Sequence, residues 1–162
     1  GVPQLGSYDP TFHPDALCVI AIGDNAIRKK VALAAAHRFI NVVHPSALVS
    51  TRSVVGTGNM ILHNAIIQAN SRIEDQVIIN TQAQVDHDCT LGSYVHIGPG
   101  AVLCGTVNIG EGTFVGAGAI ILPGIKIGPW ATIGAGSLVI ADVPAFATAV
   151  GNAARIVKQK QP

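Results

Sequence analysis

The fold is decided by the stretch from Val49 to Val143, in which residues 91–121 read LGSYVHIGPGAVLCGTVNIGEGTFVGAGAII. Every sixth residue from Val49 to Val139 is aliphatic, and the register has no insertion or gap. The sixteen positions are Val49, Val55, Ile61, Ile67, Ile73, Ile79, Val85, Leu91, Ile97, Leu103, Ile109, Val115, Ile121, Ile127, Ile133 and Val139. Self-similarity at a short fixed period is the signature of a repeat architecture.

A period of six indicates short strands, because it divides by two and fits neither the 3.6-residue helix nor the heptad. A mostly small residue follows each aliphatic after four positions, as Ala101 follows Ile97. Between them, Pro and then Gly, Asn or Asp recur at the two corner positions, as in Pro99-Gly100. Three hexads would close a triangular coil of 18 residues, and about five coils would stack roughly 4.8 Å apart. The pattern leaves the handedness open, and the general crossover rule alone would favour a right-handed coil.

A different pattern precedes the repeat. Residues 16–22 (ALCVIAI) are continuously apolar and predict a buried strand, and residues 26–38 are Ala-rich and predict a helix capped by Asp24 or Asn25. Residues 39–43 predict a second strand, so this part resembles half of a small Rossmann-like unit. We therefore predict a partial α/β unit over residues 1–45, a β-helix over 46–144 and a C-terminal loop and tail over 145–162.

The composition argues against some classes of function. The net charge is +1 and charged residues make up 12%, without a basic face or a charge block, so we expect no nucleic-acid partner. No apolar run reaches 18 residues and no signal-peptide pattern is visible, so we expect no membrane span. The cysteines Cys18, Cys89 and Cys104 are odd in number, and Cys89 occupies a small inward position. A buried free thiol there favours a reducing cytoplasm.

An aliphatic core leaves chemistry to the corners and the outer faces of the coil. His87 occupies a corner, whereas His96 lies on a flat face nine residues later, half a coil away. A corner and a point half a coil away lie on opposite sides of a triangle. If both histidines serve one site, they must come from different subunits, which favours an oligomer with sites between protomers.

The other histidines and several charges have plainer interpretations. His63 is a corner histidine for which an exposed turn position is the simplest reading. Surface or packing positions are expected for His13, His37 and His44, and solvated helix positions for Asp24, Arg28 and Lys30.

Two runs carry a resemblance to a known family. Residues 79–89 (INTQAQVDHDC) and 92–101 (GSYVHIGPGA) resemble the bacterial sugar O/N-acetyltransferases of the sialic-acid and bacillosamine type, within the hexapeptide-repeat acyltransferases. The resemblance covers roughly residues 21–157, and its specific part is the His-Asp-Cys run with a second His nine residues later. It implies a mainly β fold, a left-handed parallel β-helix preceded by a partial α/β unit, assembled as a homotrimer.

The resemblance also implies acetyl transfer from acetyl-CoA to an amine or hydroxyl of a sugar, on an activated nucleotide sugar. His87 matches the general base, Asp88 the acidic residue that raises its basicity, and Asn80 a residue near the site that orients it. Acetyl-CoA contacts are implied for His96, Gly105, Ala117 and Ala135. Residues 151–155 (GNAAR) resemble a CoA loop of GNPA type, with Ala153 where Pro is usual.

The chain departs from this family at its start. The glycine-rich strand-to-helix turn of GxGGHG kind, which holds the nucleotide sugar, has no counterpart here. The resemblance therefore implies an N-terminally shortened form in which Gly23 and Asp24 are the rim of the acceptor pocket, or else an acceptor that is held in a different way.

Two alternatives belong to other classes of protein. A non-catalytic trimeric β-helix would bind acetyl-CoA without turnover, or not bind it at all. A γ-carbonic-anhydrase-like enzyme would need three converging imidazoles around zinc, usually with an H-x4-H pair. The histidine spacings here are 24 and 9 residues, so we expect no metal.

Overall fold

The structure is a computed structural model, which describes residue 6, residues 8–11 and residues 13–159. Parts of the predicted units 1–45 and 145–162, namely residues 1–5, 7, 12 and 160–162, lie outside the described residues.

One helix and 21 strands make up the described chain. The helix is α1 (Asn25–Ala34). The strands are β1 (Leu17–Cys18), β2 (Arg38–Phe39), β3 (Val42–Val43), β4 (Leu48–Val49), β5 (Val54–Val55), β6 (Met60–Ile61), β7 (Ile66–Ile67), β8 (Arg72–Ile73), β9 (Ile78–Ile79), β10 (Gln84–Val85), β11 (Thr90–Leu91), β12 (His96–Ile97), β13 (Val102–Leu103), β14 (Asn108–Ile109), β15 (Phe114–Val115), β16 (Ile120–Ile121), β17 (Lys126–Ile127), β18 (Thr132–Ile133), β19 (Leu138–Val139), β20 (Ala147–Val150) and β21 (Arg155–Gln159).

The strands form a three-sided parallel solenoid. The first face is the sheet β3-β6-β9-β12-β15-β18-β20, to which β21 adds an antiparallel strand. The second face is β4-β7-β10-β13-β16-β19, and the third face is β5-β8-β11-β14-β17. Stacked strands pair in parallel at a spacing of 18 residues, as Val85 pairs with Leu103. This spacing confirms the predicted three hexads per coil.

The second residue of each strand points inward and builds the core. The predicted aliphatics from Ile61 to Val139 are buried, together with small residues such as Ala83, Cys89 and Ala101. Val49 and Val55 are only partly buried, because they lie in the first coils, where little chain covers them.

The corners require a left-handed backbone at every sixth position. Gly and Asn fill some of these positions, as at Gly100 (φ 64°) and Asn70 (φ 62°). The same conformation is imposed on Gln82, Tyr94 and Trp130, which are not turn-forming residues. The regular stacking of coils therefore overrides the local preference of these residues, at a cost of about 1 kcal/mol each.

The elements before the solenoid are shorter than predicted. Only Leu17–Cys18 of residues 16–22 forms a strand, and Leu17 is exposed, because among the described residues β1 pairs with β2 alone and no second layer covers it. The predicted strand over residues 39–43 is two strands, since β2 pairs with β1 whereas β3 starts the first face. The helix ends at Ala34 instead of residue 38, and Asp24 caps it by accepting a hydrogen bond from the Ile27 N–H at 2.8 Å.

Arg28 corrects another prediction, because it is buried rather than solvated on the helix surface. Its Nε donates to the Gln76 carbonyl at 2.9 Å, and its Nη2 donates to the Tyr94 carbonyl at 2.7 Å. Its Nη1 donates to the Ile22 carbonyl at 2.9 Å. Arg28 thus ties α1 and the segment before it to the corner between the third and first faces.

None of the helices among the described residues has the length and apolarity needed to cross a bilayer.

Candidate functional site

His87 lies at the corner between β10 and β11, where the second and third faces meet. Its Nδ1 lies 2.8 Å from Oδ2 of Asp88, and the two side chains are 57% and 47% exposed. Asp88 takes the left-handed corner conformation (φ 59°). The predicted base and acid are therefore neighbours in space as well as in sequence, and solvent or a ligand can reach both.

The carboxylates around His87 increase its basicity. The hydrogen bond that His87 donates to Asp88 is the main cause that raises the pKa of His87 above its ordinary value, and the charge of Asp86 adds to it. The same hydrogen bond lowers the pKa of Asp88. Because a carboxylate can only accept here, the proton of neutral His87 sits on Nδ1 and the lone pair on Nε2. Nε2 is thus the atom that can take a proton from a substrate.

Gly105 lies one coil beyond His87, directly under its ring. A Cβ at residue 105 would lie 2.6 Å from Cε1 and 2.7 Å from Nε2 of His87. A side chain at this position would displace the imidazole. The lack of a side chain at Gly105 therefore leaves room for the ring in its present position.

His96 is held in a second polar network on the first face. Asn80 Oδ1 accepts from the Thr81 N–H at 2.8 Å, so Asn80 Nδ2 is the donor to His96 Nε2 at 3.1 Å. His96 Nδ1 then carries the proton and faces the Gly23 carbonyl at 3.2 Å. Burial is the largest influence on His96 and lowers its pKa. Both ring nitrogens are occupied, so His96 in this chain is a neutral, fixed side chain.

The structure divides the predicted site residues into two groups. His87, Asp88 and Gly105 lie together at one corner, whereas His96, Asn80 and Gly23 lie together on the opposite face. Within one chain Asn80 contacts His96 and not His87.

Three further predicted residues lie around the second group. Ala117 and Ala135 are exposed at the corner between the first and second faces. Asp24 lines an open cleft of ≈ 450 Å³ between α1 and the first face, together with Phe114 and Trp130.

Asn70 is a contact of this site that the sequence reading missed. Its Nδ2 donates to Oδ1 of Asp88 at 3.0 Å. Asn70 precedes Asp88 by 18 residues, so the repeat spacing itself places the two side chains in contact. A search of each corner column for polar neighbours of His87 and Asp88 would have found it.

Among the described residues, no group of three or more His, Cys, Asp or Glu side chains is arranged to hold a metal ion. His63 is exposed, as expected, and its ring stacks on that of His44 with the centroids 3.5 Å apart.

Comparison with known proteins identifies relatives of the whole solenoid. The family described as "Bacterial transferase hexapeptide (six repeats)" matches residues 70–105 and 106–141. The crystal structure of PerB from Caulobacter crescentus, in complex with CoA and GDP-perosamine, has a TM-score of 0.87 at 41% identity. That match covers 88% of this chain and 70% of PerB.

Two further relatives are similar over different lengths. The acetyltransferase domain of PglB from Neisseria gonorrhoeae FA1090, in complex with acetyl coenzyme A, has a TM-score of 0.84 at 39% identity and covers 86% of this chain and 69% of that domain. The GDP-perosamine N-acetyltransferase of Escherichia coli O157:H7 is 34% identical over 98 residues, which is 59% of this chain. The match spans 44% of that enzyme's length. On this evidence the chain belongs to the hexapeptide-repeat acyltransferases, among relatives that are left-handed β-helix sugar N-acetyltransferases.

Proposed function

We propose that this protein transfers the acetyl group of acetyl-CoA to an amino group on a nucleotide-linked sugar, with His87 as the general base. The observation that carries the proposal is the His87–Asp88 pair, whose Nε2 is free to accept a proton. It lies on a chain 41% identical to a protein whose crystal structure holds CoA and GDP-perosamine.

The chemistry follows from the position of the lone pair on His87. The sugar amine attacks the thioester carbonyl, and the new C–N bond forms as His87 Nε2 takes a proton from the amine. The C–S bond then breaks, and the proton passes from His87 to the leaving CoA thiolate. Asp88 stabilises the imidazolium between these two steps, because its carboxylate lies 2.8 Å from Nδ1.

A homotrimer would bring the two groups of site residues together. The outward residues of the second face form a row that is apolar except for Gln84 and is at least partly exposed in the single chain: Leu48, Ile66, Gln84, Val102, Ile120 and Leu138. The second face is bordered by two corners, of which one joins it to the first face and the other joins it to the third face. If the second face packs around a three-fold axis, the first of these corners in one protomer lies beside the second in its neighbour. The corner with Ala117 and Ala135 then lies next to the His87 corner of the adjacent protomer.

This arrangement gives the remaining predicted residues their proposed roles. Acetyl-CoA would lie in the cleft between protomers, along Gly105 of one and along His96, Ala117 and Ala135 of the next. The loop over residues 151–155 would contact its distal part, and Asn80 would approach the reacting groups beside His96. Gly23 and Asp24 would border the acceptor in the α/β unit of residues 1–45, next to the β-helix of 46–144 and the tail of 145–162.

We place this reaction in the cytoplasm, where acetyl-CoA is made and free thiols persist. Cys18, Cys89 and Cys104 are free, and burial raises the pKa of Cys89 to about 11, so that thiol is inert.

The test is release of free CoA thiol from acetyl-CoA with a panel of UDP-, GDP-, dTDP- and CMP-linked amino sugars. Wild type should turn over at least one acceptor, and His87→Asn should lose about 100-fold or more in kcat/KM. Asp75→Asn is the control, because it changes an exposed corner side chain at the corner between the third and first faces, away from the proposed cleft. Equal activity in wild type and His87→Asn would remove His87 from the mechanism. Acetyl-CoA binding without turnover of any acceptor would favour a non-catalytic binding protein.

A further inference from the structure

The carboxylate of Asp88 is held from both sides. Its Oδ2 lies 2.8 Å from His87 Nδ1, and its Oδ1 accepts the hydrogen bond from Asn70 Nδ2 at 3.0 Å. With Oδ1 engaged by Asn70, the rotation of the carboxylate is restricted and Oδ2 stays directed at the imidazole.

The conformation of Asn70 alone does not account for this contact. Asn is common at left-handed corners for its backbone, and Asn64 occupies such a corner six residues earlier (φ 55°). There the hydrogen bond runs from the backbone N–H of Asn64 to Oγ of Ser46 at 3.0 Å. At Asn70 it is the side-chain amide that bonds, and its acceptor is the carboxylate next to the base.

We propose that Asn70 is a positioning residue for proton transfer, which acts through Asp88 to set the orientation and basicity of His87. The proposal rests on the proposed function for its catalytic consequence only. The chain Asn70–Asp88–His87 is a property of the folded protein whether or not it turns over an acceptor.

The charged groups around His87 determine the direction in which its pKa should change when Asn70 is replaced. Asp88 and Asp86 both raise the pKa of His87, with the Asp88 hydrogen bond the larger cause. The hydrogen bonds from His87 and Asn70 are the main causes that lower the pKa of Asp88, and the charge of Arg52, one coil above Asn70, adds to them. Loss of the Asn70 amide frees Asp88 to rotate away from the ring, so the pKa of His87 should fall. A second carboxylate at residue 70 should raise it.

The experiment is a histidine-selective NMR titration of the intact protein without substrates, for wild type, Asn70→Gly and Asn70→Asp. Glycine accepts a φ of 62° without strain, so the first variant removes only the amide. Asn64→Gly is the matched control at an equivalent corner. We expect the His87 titration to move to lower pH in Asn70→Gly, to higher pH in Asn70→Asp, and not to move in Asn64→Gly.

The kinetic counterpart is the pH dependence of kcat/KM. In Asn70→Gly the acid limb should move with the titration of His87, and the plateau should fall roughly two- to tenfold, as for loss of one exposed hydrogen bond. A His87 titration unchanged in Asn70→Gly, or moved equally by Asn64→Gly, would overturn the proposal. Absence of turnover in wild type would contradict the proposed function and would leave the NMR result to decide the role of Asn70.

Discussion

The immediate neighbours of His87 leave one of its ring nitrogens free and raise its pKa. Asp88 accepts the hydrogen bond from Nδ1, which leaves the lone pair on Nε2. Because Gly105 has no side chain, there is space for the imidazole ring above it. His96 differs in every respect, because it is half-buried and both of its nitrogens are bonded. Of the two histidines, only His87 combines a free nitrogen with a raised pKa.

The first prediction concerns the pH profile. The proposed base His87 would act in its neutral form, so activity should be lost as pH falls through its pKa, which Asp88 raises. In Asp88→Asn the pKa of His87 falls, and the acid limb of kcat/KM should move to lower pH. Asp86→Asn should move it in the same direction but less, since Asp86 acts only through its charge. The measurement is kcat/KM between pH 5 and 9, and an acid limb unmoved by Asp88→Asn would contradict the role of the pair.

The second prediction concerns Gly105. A methyl group at residue 105 would collide with Cε1 and Nε2 of His87, and the exposed ring can relieve the collision by swinging away. Gly105→Ala should therefore lower kcat at least about tenfold while the melting temperature stays within about 2 °C. Thiol release and thermal unfolding measure the two effects. A fully active Gly105→Ala protein would show that the ring position seen here is not the working one.

At the residue scale, sequence reasoning predicted His87, Asp88 and His96 as site residues because they belong to a short run with a recognisable spacing. It missed the pairing of Asn80 with His96 because that contact depends on side-chain orientations on the first face. It placed Arg28 in solvent because a charged residue in a short helix is exposed by default, and burial depends on which corner the helix meets.

At the scale of elements, the solenoid and the α/β unit are built by different means. Each two-residue strand of the solenoid is held by the coils above and below it, so the repeat supplies its own partners. The helix α1 has no such layer and is anchored by polar groups. Asn25 donates to the Gly112 carbonyl at 3.0 Å, Lys29 pairs with Glu111, and Arg28 bonds several carbonyls of neighbouring segments.

The third prediction follows from that anchoring. Arg28→Met leaves the buried carbonyls of Gln76 and Tyr94 without a donor, so it should lower the free energy of unfolding by about 3 kcal/mol. Burial lowers the pKa of Arg28 to about 10, so the side chain is charged at neutral pH and its bonds are charge-assisted. Lys30→Met, on the exposed side of the same helix, should change stability by less than about 0.5 kcal/mol. Denaturant unfolding of both variants tests this, and equal effects would contradict the anchoring role.

Element type could be predicted from the sequence wherever the repeat was strict. The sixfold period gave the strand positions, the inward residues and the three corner columns correctly, because every coil repeats the same packing. The segments before the repeat were predicted less well. The run over residues 16–22 is as apolar as a buried strand, but among the described residues its strand has a single partner strand.

At the scale of the whole molecule, the three faces have different surfaces. The second face carries an apolar row, the first carries His96 and the docked α1 segment, and the third carries polar residues such as Arg72, Asn108 and Lys126. A largely apolar row on the second face suits that face to association. Residues from two protomers can then contribute to one site.

The fourth prediction tests the apolar face. Ile120→Glu should separate the proposed trimer, because the side chain is 41% exposed in the single chain and would be covered in the assembly. Val54→Glu changes a residue that is 55% exposed on the third face and should leave the mass unchanged. Light scattering after size exclusion gives the mass of each. A wild-type monomer, or a trimer that survives Ile120→Glu, would contradict the proposed packing.

The central claim is that His87 of one protomer acts on acetyl-CoA held against the next. The most direct test mixes two inactive variants, His87→Asn and Ala117→Trp, under conditions in which subunits exchange. If each site combines two protomers, about a quarter of the sites in the mixture regain both wild-type halves, and activity should return to about that fraction of wild type. If His87 and Ala117 serve a site within one chain, no mixture restores any activity, and the account is contradicted.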